Sequence, residues 1–328
     1  IYSLNLFLTK EGLFVLSHKP KHHDWPSQPS LSRETGKGRT TESMSENINA
    51  VPAVEINDGK TIPQLGLGVW QLSDEDTYTS VRAAIETGYR HIDTAAIYGN
   101  EEAVGRAVAD AVKAGDVQRE ELFVTTKLWN ADQARGKEAF AESQKKLGMD
   151  YVDLYLLHWP CPKADKFVQA YDTMAEIQQS GGATSIGVCN FYPEALDALK
   201  QAGHIPAVNQ IEVHPGFSQA EQRADNRDRG IVTQAWSPLG QGQNLTDPTI
   251  AKIAAEHGVS VAQAIIRWHI QRGDVVIPRS SKVERVRQNS DVFGFELSAD
   301  EVAAIEALDV EDGRIGGDPH TFHAGLEG

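Results

Sequence analysis

Four ionisable side chains follow three consecutive apolar runs of this sequence, and together they have the chemistry of a proton-transfer site. They are Asp93, Tyr98, Lys127 and His158. Charged residues are rarely buried without a partner, so an aspartate and a lysine at the ends of neighbouring apolar strands are expected to pair. Because active sites of barrels lie at the carboxyl ends of the strands, the four side chains are expected to converge.

Tyr98 is the candidate proton donor of this group. An ammonium roughly 4 Å from its hydroxyl would favour the phenolate by up to ~4 kcal/mol at an effective dielectric constant of about 20, although burial opposes that shift. We therefore expect Lys127 to bring the pKa of Tyr98 down toward neutral pH, where a general acid for reducing a carbonyl works best. A neutral His158 can donate a second hydrogen bond to the same oxygen. These groups supply a proton but no electrons, so a hydride donor must bind nearby.

Each of these residues also has a purely structural interpretation. Asp93 could cap a strand end, Tyr98 could be a loop aromatic, Lys127 could hold its charge in solvent, and His158 could be a satisfied core histidine. Their joint placement at strand ends favours the catalytic interpretation.

The elements that must position these side chains form a repeating strand–helix pattern. Apolar runs typical of buried parallel strands cover residues 66–70, 91–95, 122–128, 152–158, 185–189, 207–213, 231–236 and 275–278. Helical patterning lies between them, for example over residues 76–87, 101–112, 137–147 and 193–202. Such a series predicts an open doubly wound sheet or a closed barrel, and the open sheet normally carries a G-x-G-x-x-G sequence that is absent here. We therefore predict an α/β fold of the (β/α)8 TIM barrel type.

Segments at both ends complete the predicted architecture. Residues 57–60, Asn-Asp-Gly-Lys, are a turn sequence that predicts an N-terminal β-hairpin. An extra C-terminal helix over residues 299–308 and a glycine-rich tail over 313–328 lie outside the repeat, where a tail can fold over the barrel mouth. Residues 1–49 have the composition of an unpacked extension. We interpret it as non-native, translated upstream of a natural start at Met44, with a docking or targeting extension as the alternative, and expect the barrel domain over residues 50–328.

A basic segment near the C-terminus predicts a phosphate site. Residues 278–287, Pro-Arg-Ser-Ser-Lys-Val-Glu-Arg-Val-Arg, hold four basic residues and one acidic residue. If Ser281 caps the following helix, free backbone N–H groups and the helix dipole point the same way as Arg279 and Lys282. The fork of an arginine suits a 2′-phosphate, which favours NADP over NAD. The alternative is a solvated basic face of a helix.

The composition limits the other functions that this chain can have. Its net charge of −15 disfavours nucleic acid as a partner, because a phosphate backbone requires a broad basic surface. Two cysteines, Cys161 and Cys189, are too few for a disulfide framework and lack the paired spacing of a zinc site, so no metal is expected. No apolar run is long enough to span a membrane. We expect a cytoplasmic monomer that acts on a small molecule.

The motifs around the four strand-end residues resemble the aldo-keto reductase superfamily over essentially all of residues 54–322. The matching segments are GYRHIDTA (88–95), YGNE (98–101), TTKLW (125–129) and LLHWP (156–160). Within the superfamily the chain is most similar to bacterial 2,5-diketo-D-gluconate reductases. The resemblance implies a catalytic tetrad of Asp93, Tyr98, Lys127 and His158, with Tyr98 as the acid. It also implies an extended NADPH across the barrel mouth.

The resemblance further implies which residues bind the cofactor. Asn190 and Gln210 would hold the carboxamide, and Trp236 would stack on the nicotinamide ring. The pyrophosphate would be lined by Ser237, Leu239 and Gln241. The 2′-phosphate would be bound by Arg279, Ser280, Lys282 and Arg285, and the adenine by Gln288 and Asn289. Two residues depart from the family pattern. Cys189 stands where serine is common and is a weaker donor to the carboxamide. Arg279 replaces a usual lysine, which bears on the preference between NADPH and NADH.

Three tryptophans end strands around the same mouth and, with His158, predict an aromatic-walled substrate pocket. They are Trp70, Trp129 and Trp159. Packing at the barrel end is the alternative. The short loop after His158 leaves the pocket open to small polar dicarbonyls, aldehydes and keto sugars, so we predict an enzyme that reduces such carbonyl compounds with NADPH. Rival hypotheses are a slow-turnover nicotinamide-binding regulatory subunit and a barrel hydrolase or isomerase with paired carboxylates, although no second acid ends a strand near Asp93.

Overall fold

The computed structural model describes residues 7–9, 12–14 and 51–326 of the chain. A first antiparallel pair consists of β1 (Phe7–Thr9) and β2 (Gly12–Phe14). The rest of the expected extension over residues 1–49, including Met44, lies outside the described residues. Its interpretation as a non-native segment therefore stays a prediction.

A β-hairpin leads into the barrel and plugs one of its ends. Its strands are β3 (Ala53–Glu55) and β4 (Thr61–Pro63), joined by the expected turn. Ile56 and Ile62 are buried in one apolar cluster with residues from the barrel interior. The Ser185 hydroxyl, near the start of a barrel strand, donates a hydrogen bond of 2.6 Å to the Asp58 carboxylate. The predicted N-terminal hairpin is confirmed, and it lies at the end of the barrel opposite the candidate site.

Eight parallel strands surround the barrel axis, each beside its neighbour in the chain. They are β5 (Leu67–Gly68), β6 (His91–Asp93), β7 (Phe123–Leu128), β8 (Val152–Leu157), β9 (Ala183–Cys189), β10 (Val208–Glu212), β11 (Val232–Trp236) and β12 (Val275–Val276). The sheet closes on itself between the last strand and the first: the Gly66 N–H donates to the Val276 carbonyl (2.9 Å), and the Val276 N–H donates to the Gln64 carbonyl (2.8 Å). The predicted (β/α)8 barrel is confirmed.

Each barrel strand is followed by at least one α-helix. The helices are α1 (Asp74–Thr87), α2 (Glu101–Ala114), α3 (Gly136–Leu147), α4 (Phe167–Gln179), α5 (Pro193–Gln201), α6 (Ala220–Asp228), α7 (Pro248–Glu256), α8 (Val261–Gln271), α9 (Val283–Ser290) and α10 (Ala299–Glu306). Local sequence fixes their ends and their packing. Ser73 caps α1 by accepting the Asp76 N–H, and Gly105 lets α2 approach α3 so closely that a Cβ there would lie 2.2 Å from the Leu147 carbonyl oxygen.

Several strands are shorter than the apolar runs that predicted them, whereas β9 begins two residues earlier than predicted, at Ala183. The run over residues 275–278 becomes a strand of two residues, because Pro278 has no N–H to continue the ladder. The C-terminal helix predicted over residues 299–308 ends at Glu306. None of the described helices is long and apolar enough to cross a membrane.

Candidate active site

The ammonium of Lys127 is the centre of the candidate site. Lys127 is fully buried in β7, and its Nζ donates to the Asp93 carboxylate (2.5 Å), to the Thr94 carbonyl (2.9 Å) and to the Tyr98 hydroxyl (3.3 Å). An ammonium has three protons, so each has a defined acceptor. The expected pairing of Asp93 with Lys127 is present, and Tyr98 is held against the same cation.

The second oxygen of Asp93 is occupied from across the barrel. The side-chain amide of Gln210, in β10, donates to it over 2.8 Å. The expected role of Gln210 in holding a carboxamide stays a prediction; in the structure its side-chain amide also orients the carboxylate that holds Lys127. Sequence reasoning missed this link because it joins strands 117 residues apart.

The expectation that Lys127 brings the pKa of Tyr98 toward neutral pH is wrong. Burial raises the pKa of Tyr98 to about 12, and the attraction of the Lys127 charge offsets only part of that rise. Burial acts to lower the pKa of Lys127, but Asp93, Tyr98 and Cys189 together outweigh it and raise that pKa above its usual value. Because burial is the larger effect, Tyr98 stays protonated at neutral pH.

His158 lies beside this pair as a neutral ring. It is buried, and burial together with the Lys127 charge lowers its pKa well below the usual value. Its ring centroid is 5.9 Å from that of Tyr98 and 5.2 Å from that of Trp129. Its Nδ1 is buried without a hydrogen-bond partner among the described residues. A neutral imidazole in this place can donate one hydrogen bond to a bound oxygen, as expected.

Three of the residues assigned to the nicotinamide end form a connected group beside His158. The Trp236 indole N–H donates to the Asn190 side-chain oxygen (2.8 Å), and the Asn190 amide donates to the His158 carbonyl (3.2 Å). Cys189, the preceding residue, is fully buried, and burial raises the pKa of its thiol. Asn190 therefore couples the position of Trp236 to the strand that carries His158.

The backbone around this group is strained. Asn190, Ser237 and Gln241 have positive φ angles of 61°, 48° and 51°, values that residues other than glycine seldom adopt. Such strain persists only where the surrounding structure imposes it, and it concentrates at ligand sites. Leu239, the third residue assigned to the pyrophosphate, lies in the same loop as Ser237 and Gln241 and packs partly buried against the core.

The basic segment surrounds the start of α9, but its cap differs from the expected one. Ser281 is not the cap: the helix begins at Val283, and the Ser280 hydroxyl accepts the Lys282 N–H (3.0 Å). The acceptor of this hydrogen bond is therefore Ser280, one residue before the serine that was expected to cap the helix. Among the other assigned residues, Arg279, Lys282, Arg285 and Gln288 are exposed, whereas Ser280 and Asn289 are buried.

The three tryptophans lie at strand ends, and the C-terminal tail (residues 313–326) packs on two of them. Phe322 stacks on Trp159 with ring centroids 4.1 Å apart. The Asn130 side-chain amide, next to Trp129, donates to the Ala324 carbonyl over 2.9 Å. The carbonyl of Trp70 instead accepts a hydrogen bond from the Arg279 guanidinium (3.0 Å). The tail therefore adds a wall to the mouth that was expected to be open.

Glu212 anchors this tail and was missed from the sequence. It is fully buried at the end of β10, where its two carboxylate oxygens accept the N–H groups of Ile315 (2.6 Å) and Gly316 (2.9 Å). A Cβ at Gly316 would lie 2.4 Å from the ring of Trp236, so only glycine fits this approach. Glu212 could have been found by the rule that identified Asp93, since it too is an acid that ends an apolar strand.

Comparison with known proteins identifies the family to which the chain belongs. The sequence profile described as Aldo/keto reductase family matches residues 64–310. An aldo-keto reductase of Mycolicibacterium smegmatis is 50% identical over 275 residues, which are 83% of this chain and 98% of that protein. Methylglyoxal reductase DkgA of Escherichia coli is 47% identical over 272 residues, which are 82% of this chain and 97% of that protein.

Solved structures match the barrel as well. A variant of Gox0644 in complex with NADPH has a TM-score of 0.79 and 43% identity, covering 83% of this chain and 99% of its own. A Bombyx mori aldo-keto reductase in complex with NADP has a TM-score of 0.75 and 40% identity, covering 79% of this chain and 93% of its own. The family profile and these relatives span the barrel that carries the four strand-end residues, and the chain therefore belongs to the aldo/keto reductase family.

Proposed function

We propose that this protein reduces aldehydes and ketones to alcohols with NADPH, with Tyr98 as the general acid. The observation that carries the proposal is the buried Lys127 ammonium, which hydrogen-bonds both the Asp93 carboxylate and the Tyr98 hydroxyl. Membership of the aldo/keto reductase family supports the reaction class.

The residues around the mouth fit NADPH on two grounds. Arg279, Lys282 and Arg285 are exposed, and within the described part of the chain no carboxylate pairs with them, so their charges are available to a phosphate. The strained loop residues Asn190 and Ser237 provide a shaped cradle between these cations and the tetrad. Relatives solved with NADPH and NADP add support. Bound NADPH supplies the hydride that the protein itself lacks.

The cofactor would be held along its length by the residues assigned above. Those at the nicotinamide and pyrophosphate end are Cys189, Asn190, Gln210, Trp236, Ser237, Leu239 and Gln241. Those at the adenosine 2′-phosphate end are Arg279, Ser280, Lys282, Arg285, Gln288 and Asn289. With Trp70, Trp129, Trp159 and His158 around the substrate, the carbonyl would lie beside the Tyr98 hydroxyl.

The tetrad then acts on the carbonyl oxygen. The Tyr98 hydroxyl donates its proton as negative charge develops there, and the neutral His158 donates a hydrogen bond to the same oxygen. A pKa of about 12 keeps Tyr98 protonated beforehand, and an alkoxide is a stronger base than a phenolate, so the transfer is downhill. Lys127 stabilises the resulting tyrosinate, while Asp93 keeps the ammonium in place.

We further propose small polar dicarbonyls and keto sugars as the substrates. The mouth combines tryptophan walls with polar groups of the tail, which suits compounds that carry a second oxygen beside the reacting carbonyl. The relative named methylglyoxal reductase supports the dicarbonyl part of this proposal. The resemblance to 2,5-diketo-D-gluconate reductases supports the keto-sugar part.

A cofactor-oxidation assay tests the proposal. We expect wild-type protein to oxidise NADPH with methylglyoxal, 2,5-diketo-D-gluconate and an aromatic aldehyde, and to use NADPH in preference to NADH. Tyr98→Phe should lower kcat by about 10²- to 10⁴-fold while NADPH still quenches tryptophan fluorescence, because only the acid is lost.

The matched control is Tyr151→Phe, the same change at the opposite end of the barrel, where Arg119 covers the ring. It should leave kcat within about twofold. NADPH binding with no turnover on any carbonyl by the wild type would instead favour a nicotinamide-binding regulatory subunit.

A further inference from the structure

His269, in α8, joins that helix to the loop proposed above to line the cofactor pyrophosphate. Its ring is fully buried, with Nε2 3.2 Å from the Pro238 carbonyl oxygen and Nδ1 3.4 Å from the Asp274 carboxylate. Pro238 is buried within this pyrophosphate loop, residues 237–241. Among the described residues, no other group donates a hydrogen bond to its carbonyl. The carbonyl therefore depends on His269 for its hydrogen bond.

The partners of the ring decide which of its nitrogens carries the proton. A carbonyl and a carboxylate only accept hydrogen bonds, and burial lowers the pKa of His269, so a neutral ring has one N–H for two acceptors. The Asp274 carboxylate already accepts the Arg223 guanidinium over 2.9 Å. The Pro238 carbonyl has the shorter contact and no second donor, and an unpaired buried acceptor is costly. The proton is therefore assigned to Nε2, directed at Pro238.

The rest of the barrel holds the end of α8 that carries His269. The side-chain amide of Gln64 donates to the carbonyls of Ile270 (2.8 Å) and Asp274 (3.1 Å). The Gln64 carbonyl in turn accepts the Val276 N–H at the closure of the sheet. The imidazole is thus carried by a segment that is tied to the barrel wall, and it can hold a loop in place.

The pyrophosphate loop needs such an anchor because its backbone is strained. Ser237 and Gln241 have positive φ angles of 48° and 51°, which residues other than glycine keep only where their surroundings impose them. The Gly240 N–H donates to the Ser237 carbonyl over 2.8 Å, which closes a turn within the loop but does not attach it to a helix. The hydrogen bond from His269 makes that attachment.

We propose that His269 is a positioning residue for the cofactor, which holds the pyrophosphate loop in its binding conformation through the Pro238 carbonyl. The proposal rests on the NADPH binding proposed above. A loop that is shaped before the cofactor arrives binds it more tightly, because the measured Kd is the intrinsic Kd divided by the fraction of molecules in the competent conformation. Loss of the His269 hydrogen bond would let the strained residues relax and would lower that fraction.

Two amide substitutions separate the roles of the two ring nitrogens. The side-chain nitrogen of glutamine lies about as far along the side chain as Nε2 of histidine, and that of asparagine about as far as Nδ1. His269→Gln therefore keeps a donor for Pro238, whereas His269→Asn keeps one for Asp274 only. Both variants lose the ring and its contact with Trp268, so a loss of packing affects both.

Isothermal titration calorimetry with NADPH and with adenosine 2′-phosphate tests the proposal. His269→Asn should raise the Kd of NADPH about tenfold, the value of one net hydrogen bond, and His269→Gln should keep it within about threefold. Adenosine 2′-phosphate has no pyrophosphate, so its Kd should be unchanged in both variants. The matched control is His204→Asn, at a partly buried histidine that contacts Asp172 instead, and it should bind NADPH as the wild type does.

An unchanged Kd of NADPH in His269→Asn, or equal weakening by asparagine and glutamine, would overturn the proposal, because the Nε2 contact would then not hold the loop. A matching loss for adenosine 2′-phosphate would overturn it too, since the whole site would be distorted. If asparagine prevents folding, glutamine alone decides: weakening of about tenfold contradicts the proposal and binding within about threefold supports it. Failure of the proposed function is a separate outcome, in which the wild-type protein does not bind NADPH.

Discussion

Lys127 donates its three ammonium protons to three fixed acceptors. In the proposed reaction, this arrangement would stabilise the state after proton transfer more than the state before it. Before proton transfer, Asp93 neutralises much of the ammonium charge, and burial keeps the pKa of Tyr98 at about 12. In the proposed reaction, the tyrosinate would form beside the same ammonium, which hydrogen-bonds the Tyr98 hydroxyl over 3.3 Å. The site would then stabilise charge that forms during catalysis, which is the most effective use of a preorganised group.

Asp93→Asn should destabilise the fold as well as the chemistry. The change leaves a fully buried ammonium without its counter-ion, so we expect the free energy of unfolding to fall by about 3–5 kcal/mol. Guanidinium chloride unfolding at pH 7 measures it.

The matched control is Asp197→Asn, which removes the carboxylate of the exposed Arg229–Asp197 pair. It should cost at most about 1 kcal/mol. Equal effects of the two substitutions would contradict the assignment of Asp93 as the essential counter-ion of Lys127.

The convergence of the four residues was predictable because three of them are polar residues at the ends of apolar strands and Tyr98 follows in a loop. The protonation of Tyr98 was not predictable, since it depends mainly on how far the fold buries the hydroxyl, an effect that the Lys127 charge offsets only in part. The roles of Gln210 and Glu212 escaped for a related reason: each depends on a contact between residues more than a hundred positions apart.

Among the elements, the C-terminal tail depends most on a single side chain. Glu212 accepts two tail N–H groups, whereas glutamine has one acceptor oxygen and an NH2 group that opposes a backbone N–H. Glu212→Gln should therefore release the segment around Ile315 and Gly316. Trypsin, which cleaves after arginine, should cut the chain after Arg314 about tenfold faster, as followed by mass spectrometry.

Glu221→Gln, an identical change on the exposed surface of α6, provides the comparison and should leave that cleavage rate unchanged. If Glu212→Gln resists trypsin as well as the wild type does, other contacts hold the tail and Glu212 is not its anchor.

Helices and strands were predictable to within a few residues, but the details of their ends were not. The Ser281 cap failed because Ser280 can bond the same turn from one residue earlier, and sequence alone does not rank two adjacent serines. Some strands end before the apolar runs that predicted them, as β12 does at Val276, whereas β7, β9 and β11 end at the predicted residue.

For the whole molecule, buried histidines predict how stability depends on pH. Burial lowers the pKa of His91, inside the barrel, from the usual 6.5 to about 4. The unfolded chain binds that proton below pH 6.5 while the folded chain does not, so this contribution to stability is full above pH 6.5 and is lost as the pH falls toward 4.

His91→Gln should make this decline shallower by up to about 1.4 kcal/mol per pH unit within that window. Urea unfolding at a series of pH values measures the slope. His320→Gln, at an exposed position, should retain the wild-type slope, and a wild-type slope in His91→Gln would show that His91 does not titrate in this range.

The closed barrel followed from the repeat of strand and helix and from the absence of a G-x-G-x-x-G sequence, but the residues that close it could not be predicted. The first and last strands are joined by hydrogen bonds between Gln64 or Gly66 and Val276. These segments are too short for their pairing to be predicted from the sequence. Whether the alternating pattern makes an open sheet or a closed barrel is decided there.

The hydrogen bond between Gln210 and Asp93 has a mechanical consequence. Their strands, β10 and β6, are four places apart in a ring of eight, so the two side chains meet across the full diameter of the barrel. The position of the Asp93 carboxylate therefore depends on the width of the barrel. The positions of Lys127 and Tyr98 depend in turn on that carboxylate. We therefore expect that expansion of the barrel on warming displaces Asp93 from Lys127 before the strands separate, so that the proposed activity is lost at a lower temperature than the fold.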